Sequence, residues 1–260
     1  MAALKWKTFP YPSDNYVYAS TALKKNWARL HRGDCEPYPA DKQAQEAWRQ
    51  YHQGNFEQAY AIGTEAGGEG LTAAAKALAI HAAALLDDER AKMEAFQTAM
   101  TLAEAAQEVM PDNPNSYYFY AMAAGRYGQT ISIAKALAEG LAGKIKAALD
   151  KTLAIAPEHG EAHAAYGSYH AEIVGKVGGM MAGLTYGASK DQAIEHFDKA
   201  IALMPDSAVA RIEYANALIN LFGNKKMDQA TQFYNEAAEA VSVEAMERLD
   251  QQRAADELED

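Results

Sequence analysis

The sequence predicts an all-α fold, a right-handed superhelical stack of antiparallel helix pairs in enlarged repeats, and three observations carry that prediction. First, Ala193, Phe197 and Ala200 fall at i, i+4 and i+7 on one helical face, and Pro205 ends the run. Second, Pro111, Pro157 and Pro205 each close a helical pattern, and nine residues past each stands a tyrosine: Tyr120, Tyr166 and Tyr214. A small residue follows each tyrosine, namely Ala121, Gly167 and Ala215. Third, upstream of the prolines, offset −12 holds Ala99, Ile145 and Ala193, offset −8 holds Ala103, Leu149 and Phe197, and offset −5 holds Ala106, Thr152 and Ala200. Such coincidences mark packing positions used again in each module.

Composition narrows the function classes. A chain of 260 residues that is 49% hydrophobic can bury a substantial core. Its 24 basic residues stand against 35 acidic ones, so the net charge of −11 repels phosphate backbones and anionic lipid heads unless a local basic patch intervenes. No basic run is present, and nucleic acid is not an expected partner. A single cysteine, Cys35, excludes an intramolecular disulfide framework and a multi-thiolate zinc site, and reads as an idle thiol. Met1 and the residues after it lack the apolar core of a secretory signal, and no run reaches the roughly 18 apolar residues of a membrane span. The expected location is cytoplasmic, or periplasmic if a signal was removed upstream.

Taken in order, residues 1 to 13 carry Pro10 and Pro12 among Trp6, Phe9 and Tyr11, which favours an extended arm pinned by its rings. From Asp14 to His31 the apolar positions Tyr16, Ala19, Leu23, Trp27 and Leu30 repeat at three or four, predicting a first helix that Arg32-Gly33 closes. Residues 41–66 read as a helix pair turning at Gly54-Asn55-Phe56. Two alanine-rich helices, about 71–86 and 88–109, must pack closely, because alanine cannot bridge a wide gap. The proline-marked modules follow, and a last helix repeats the pattern with Ala230, Tyr234 and Ala237. The expected division is an arm and first helix over 1–40, repeats over 41–241, and a C-terminal capping helix over 242–260. The final segment has seven acidic and two basic residues, and acid at a helix C-terminus opposes the macrodipole, so its end should fray.

These spacings resemble the tetratricopeptide repeat family, whose antiparallel helix pairs alternate small and large residues at set positions and end in a proline. The resemblance is fullest at 193–221 and 145–175, and partial at 41–66 and 95–128. The period departs from it: successive prolines here lie 46 and 48 residues apart, against 34 in the ordinary repeat, which places extra segments at about 129–140 and 175–188. Residues 170–201 are also similar to the variant repeats of the regulator-of-microtubule-dynamics family and of lipoproteins associated with tripartite periplasmic transporters.

Gly175, Gly179, Gly183 and Gly187 recur every fourth residue, with Gly178 as a fifth. At about 1 kcal/mol of helix preference lost per glycine relative to alanine, the stretch is a broken linker, a close helix contact or a ligand-lining wall that includes Gly179, Gly183 and Tyr186. Ser189 and Gln192 form a capping-box signature for the next helix. His159, His163 and His170 are spaced to share a helical face, but His159 lies at a helix start and the other two at offsets that pack between helices, so structural histidines are expected rather than a metal site. No HExxH, nucleophile elbow or phosphate-cradling glycine loop occurs, so no enzyme and no cofactor is expected.

In tetratricopeptide proteins the first helix of each pair lines a concave groove. That resemblance implies that Asn115, Tyr118, Met122 and Arg126 line it, joined by Ser168 and Glu172 and then by Asn216 and Asn220. The same residues also fit a solvated inner face. The function expected is a non-catalytic adaptor that binds a protein or peptide in the groove. The alternative is a carrier of a small apolar or amphipathic ligand near the glycine stripe.

Overall fold

The computed structural model describes residues 4–259, apart from the side chains of Ile133, Ala134 and Leu137. Residues 1–3 of the expected arm and Asp260 of the expected cap lie outside the described residues. The helices are α1 (Ala22–Leu30), α2 (Lys42–Gln53), α3 (Phe56–Ala66), α4 (Gly70–Leu85), α5 (Glu89–Val109), α6 (Pro114–Thr130), α7 (Ile133–Ala138) and α8 (Leu141–Ile155). They continue as α9 (Gly160–Val177), α10 (Gly179–Met181), α11 (Lys190–Leu203), α12 (Ala208–Phe222), α13 (Met227–Ala238) and α14 (Ala245–Glu257). No strand occurs among the described residues.

Capping side chains mark where several of these helices begin. Asp41, Asp88 and Asn113 accept hydrogen bonds from the first-turn amides of α2, α5 and α6 at 2.7–2.9 Å, and Ser189 and Ser207 do the same for α11 and α12 at 3.2 Å. Asn113 is followed by Pro114, whose missing N–H falls where no intrahelical bond is made. The expected helix from Asp14 is shorter than its periodicity suggests. Only a turn forms at Asp14–Tyr16, and positive φ at Tyr18 (46°) and Ser20 (54°) breaks the chain before α1, while the Tyr18 hydroxyl donates to the Val243 carbonyl at 2.6 Å.

The chain forms two compact units. Unit 1 comprises the chain up to His31, Cys35–Ala156 and Val243–Met246, and unit 2 comprises Arg32–Asp34, Pro157–Ser242 and the chain from Glu247 on. In unit 1 each of α2, α3, α4 and α5 packs on the next, and α6 packs on α8. The first helices of its pairs, α2, α4 and α6, also touch in succession. In unit 2, α9 pairs with α11 and α12 with α13, while α9 touches α12.

The repeated offsets lie in these contacts. Ala99, Ala103, Ala106, Leu149, Thr152, Ala193, Phe197 and Ala200 are all buried, and so are Tyr120, Tyr166, Tyr214, Ala121, Gly167 and Ala215. Ile145 is the exception, at half-buried. The alanine-rich α4 is buried nearly all round, and α5 turns Ala95, Ala99, Ala103 and Ala106 inward, so the two helices approach as closely as their small side chains allow.

A tight backbone joint lies between α3 and α4. A Cβ on Gly63 would lie 2.5 Å from the Gly70 carbonyl oxygen, and one on Gly70 would lie 2.6 Å from that of Gly63. Both obstacles are backbone and cannot rotate away. Gly63→Ala is therefore expected to lower the unfolding free energy by about 1–3 kcal/mol, read from urea midpoints, whereas Gly125→Ala, with open space at its Cβ, should leave it unchanged or raise it slightly.

The N-terminal arm is pinned on unit 1 as its rings suggested. Phe9 is buried beside Phe56, and Gly54, at φ +89°, leaves room for it: a Cβ there would lie 2.7 Å from the Phe9 ring. Trp6 lies 4.4 Å, ring to ring, from the buried His81, whose Nε2 accepts the Lys7 amide at 2.9 Å. An accepting Nε2 requires the neutral ring, and burial with the nearby Lys7 ammonium holds His81 down to about 4. Since the folded value lies below the ordinary 6.5, arm docking is fully present above about pH 6.5 and is lost as pH falls through 4. Hydrogen exchange at the Lys7 amide should accelerate across that window relative to amides inside α4. A His81→Gln variant should flatten the difference.

Candidate functional site

The inner helices of unit 1 enclose a polar cluster that sequence spacing did not reveal. Glu36 stands in the loop after α1 and is buried. Its Oε1 accepts from the Thr72 hydroxyl at 2.8 Å and the Asn113 amide at 3.3 Å, and its Oε2 accepts from the Asn115 amide at 2.6 Å. Its carbonyl takes the Trp27 indole N–H at 2.7 Å. Lys76, 1% exposed, places its ammonium 5.6 Å from the Tyr51 ring centroid and 5.5 Å from that of Phe119. Lys76 stands in an alanine-rich helix whose other buried polar side chains are Thr72 and His81. A pocket of ≈ 240 Å³ opens beside Glu36, walled by Pro37, Pro39, Val109 and Pro111 with Asp112 at its edge.

This cluster corrects part of the expected groove. Asn115 is fully buried and holds Glu36, and Tyr118 is buried with its ring 5.5 Å from that of Phe119, so neither presents an open surface. Met122 and Arg126, one and two turns further along α6, are half-buried, and Arg126 reaches Gln129 at 3.3 Å.

In unit 2 the expected residues are at or near the surface, but their polar atoms are paired within the unit. The Ser168 hydroxyl lies 3.5 Å from Glu213, whose other oxygen takes both terminal nitrogens of Arg253 on α14 at 3.3 Å. Glu172 pairs with Lys176 at 3.0 Å. The Asn216 oxygen accepts from Tyr234 at 2.6 Å, and the Asn220 amide donates to the Ala171 carbonyl at 3.1 Å. Glu213, which links α9, α12 and α14, was not singled out by spacing.

The glycine stripe resolves residue by residue. Gly175 is a close contact, since a Cβ there would lie 2.5 Å from the Asn220 side-chain oxygen. Gly178 and Gly187, at φ +78° and +64°, are breaks. Gly179 and Gly183 face open space, and Tyr186 is half-buried, its carbonyl 3.4 Å from the Tyr169 hydroxyl. None of the three lines the pocket beside Glu36.

The histidines pack between helices. His159 caps α9 by accepting from the Ala162 amide at 2.9 Å. His163 Nε2 lies 3.1 Å from the Pro157 carbonyl, which only accepts, so Nε2 carries the proton and Nδ1 accepts from His196 Nδ1–H at 2.8 Å. Burial lowers the His163 value, and the Pro157 carbonyl partly opposes that shift. Tyr166 stacks on His170 at 5.0 Å and on His196 at 4.6 Å. Among the described residues no group of three or more His, Cys, Asp or Glu side chains is placed to hold a metal ion.

The model of the family described as regulator of microtubule dynamics protein 1-3 matches residues 42–260. The chain belongs to this family. The match begins at the first residue of α2 and takes in every helix pair from α2 to α14, including the stretched modules, so the enlarged period occurs within the family's own span. A thermophilic tetratricopeptide-repeat protein of Thermus thermophilus, known from its crystal structure, is 15% identical to this family member. It superposes with a TM-score of 0.58 over 82% of this chain and 97% of its own, which establishes the tetratricopeptide-like fold. No curated protein matches the chain. No helix of the described residues is long and apolar enough to cross a membrane.

Proposed function

We propose that this family member is a non-catalytic adaptor whose first-helix faces seat a segment of a protein partner. The observation that supports this most directly is the Glu213 contact. A carboxylate on α12, steadied by Ser168 of α9, already holds the arginine of a helical segment, α14, through both terminal nitrogens. A face that seats one helix of its own chain by a charge-assisted contact has the chemistry to seat another.

Asn216 and Asn220 each hold a neighbouring helix, so their removal would disturb the fold as well as any partner. The informative substitutions are at the half-buried Met122, Arg126 and Glu172. In proximity cross-linking from the native host, Met122→Ala with Arg126→Glu on unit 1, and separately Glu172→Lys on unit 2, should reduce the partners recovered by the wild type while the melting temperature stays within about 2 °C. An unchanged partner set would reject the reading. The family is named for regulation of microtubule dynamics, so purified microtubules are the first assembly to offer in a co-sedimentation assay.

A further inference from the structure

We propose that unit 2 docks on a lipid bilayer surface through the tip formed by Met180, Met181 and Leu184. Three of the large apolar side chains most open to water fall within five residues: Met180 is 80% exposed, Leu184 79% and Met181 53%. Single exposed apolar residues are ordinary, but three on one projecting turn form a patch.

The turn is built to project. Ala182 and Ala188 are fully buried and anchor its base, while positive φ at Gly178 and Gly187 lets the chain turn out and back. Its backbone polarity is largely satisfied internally: Ala182 N–H donates to the Gly178 carbonyl, Gly187 N–H to that of Gly183, and Ala188 N–H to that of Ala182, at 3.0–3.2 Å. Such a turn can leave water without stranding those amides, which a loop without internal hydrogen bonds cannot do. It is a protrusion rather than a groove, so it enters its partner instead of receiving one.

The surroundings supply the charge that headgroups take. Gly175 of α9 abuts Asn220 of α12, and the Lys190 ammonium at the start of α11 reaches the Leu221 carbonyl at 2.5 Å and the Phe222 ring at 4.8 Å. The ends of these three helices therefore share one end of unit 2, and the Gly223–Lys226 turn follows directly. That end carries Lys176, Lys190, Lys225 and Lys226 against Glu172, Asp191 and Asp228, in a chain with 24 basic and 35 acidic residues. Lys176 is paired with Glu172 at 3.0 Å and Lys190 with the Leu221 carbonyl, so this end carries four lysines against three carboxylates, a small positive excess in a chain of net charge −11, and Met227, also exposed, lies beside it.

The test is co-sedimentation of the full chain with phosphatidylcholine vesicles, with and without phosphatidylglycerol. The wild type should bind both and favour the anionic ones. Met180→Ser, Met181→Ser and Leu184→Ser together should weaken binding to both by at least ~10-fold with an unchanged melting temperature. Lys176→Gln, Lys225→Gln and Lys226→Gln together should remove only the anionic preference. In a Leu184→Trp variant the added indole should shift its emission to the blue on vesicle addition and be quenched by brominated acyl chains. The proposal is overturned if the wild type sediments with neither vesicle, or if the serine variant sediments as well as the wild type. It is equally overturned if the serine substitutions instead dissolve a wild-type dimer in sedimentation velocity, since the tip would then cover a second copy.

Discussion

Phe197→Ala is expected to lower the unfolding free energy by about 3–5 kcal/mol, among the largest single-residue effects in unit 2. The ring is fully buried, stacks on Tyr214 at 4.8 Å with an interplanar angle of 8°, and Tyr214 in turn stacks on Phe233 at 4.8 Å. Truncation leaves a cavity and removes the first ring of a column joining α11, α12 and α13. The diagnostic partner is Gly167, where a Cβ would lie 2.6 Å from the Phe197 ring. Gly167→Ala alone should destabilise by about 1–3 kcal/mol through overpacking. In the Phe197→Ala background the same methyl enters the vacated space, so the second substitution should be neutral or stabilising. Chemical denaturation of the four proteins forms a double-mutant cycle with an expected coupling of about 1–3 kcal/mol. Additive losses would show that the glycine answers to backbone preference alone, and not to the ring.

That pair also shows what could be read in advance. Gly167 and Phe197 both occupy repeated positions, and a repeat announces its packing residues because each module solves the same contact with local sequence. The helix pairs and the buried Tyr120, Tyr166 and Tyr214 were legible for that reason, and the cap at Ser189 from its own capping-box signature. What spacing could not supply was any contact made once only. The Asp14–His31 periodicity pointed to one helix, but the Tyr18 hydroxyl engages the Val243 carbonyl, a residue 225 positions away, and the backbone on either side of Ala19 takes positive φ. The inner face of α6 depends on a contact of the same kind. An offset along α6 assigns Asn115 to the first-helix face, but whether that face is open depends on the loop carrying Glu36, and no periodicity connects residue 36 with residue 115.

The glycine stripe belongs between these cases. Its spacing left a broken linker, a close helix contact and a ligand-lining wall open, and its members divide among a close contact, two chain reversals and an open turn. A helical wheel assumes the helix continues, and α9 ends at Val177. The side chains that matter there are the apolar ones between the glycines, which a unit with ample buried alanine leaves in water. The repeated positions are buried between helices, whereas the extra length of the stretched module leaves Met180, Met181 and Leu184 in water.

Glu36→Ala should produce the largest loss in unit 1, about 3–5 kcal/mol, for a reason opposite to that at Phe197. Little apolar packing is lost. Instead the Thr72 hydroxyl and the Asn113 and Asn115 amides lose a common acceptor, and all three residues are buried, with Asn115 at 0% exposed. The Thr72 hydroxyl can turn to the Glu69 carbonyl, 3.3 Å away, but a donor stranded away from water forfeits about 1–3 kcal/mol, and the Asn113 and Asn115 amides carry most of the loss. Glu36→Gln keeps the shape and one acceptor oxygen but turns a second donor toward the amide that served the other, so it should fall between wild type and alanine. Removing the donors tests the same account from the other side. Asn115→Leu in the Glu36→Ala background should cost less than Asn115→Leu alone, because the donor it deletes has no acceptor left to serve. Urea titrations followed by the fluorescence of Trp27, whose indole N–H donates to the Glu36 carbonyl, would report both the stability and the order of this loop. If alanine and glutamine at position 36 proved equally mild, the carboxylate would not be what joins the α1–α2 loop to α4 and α6.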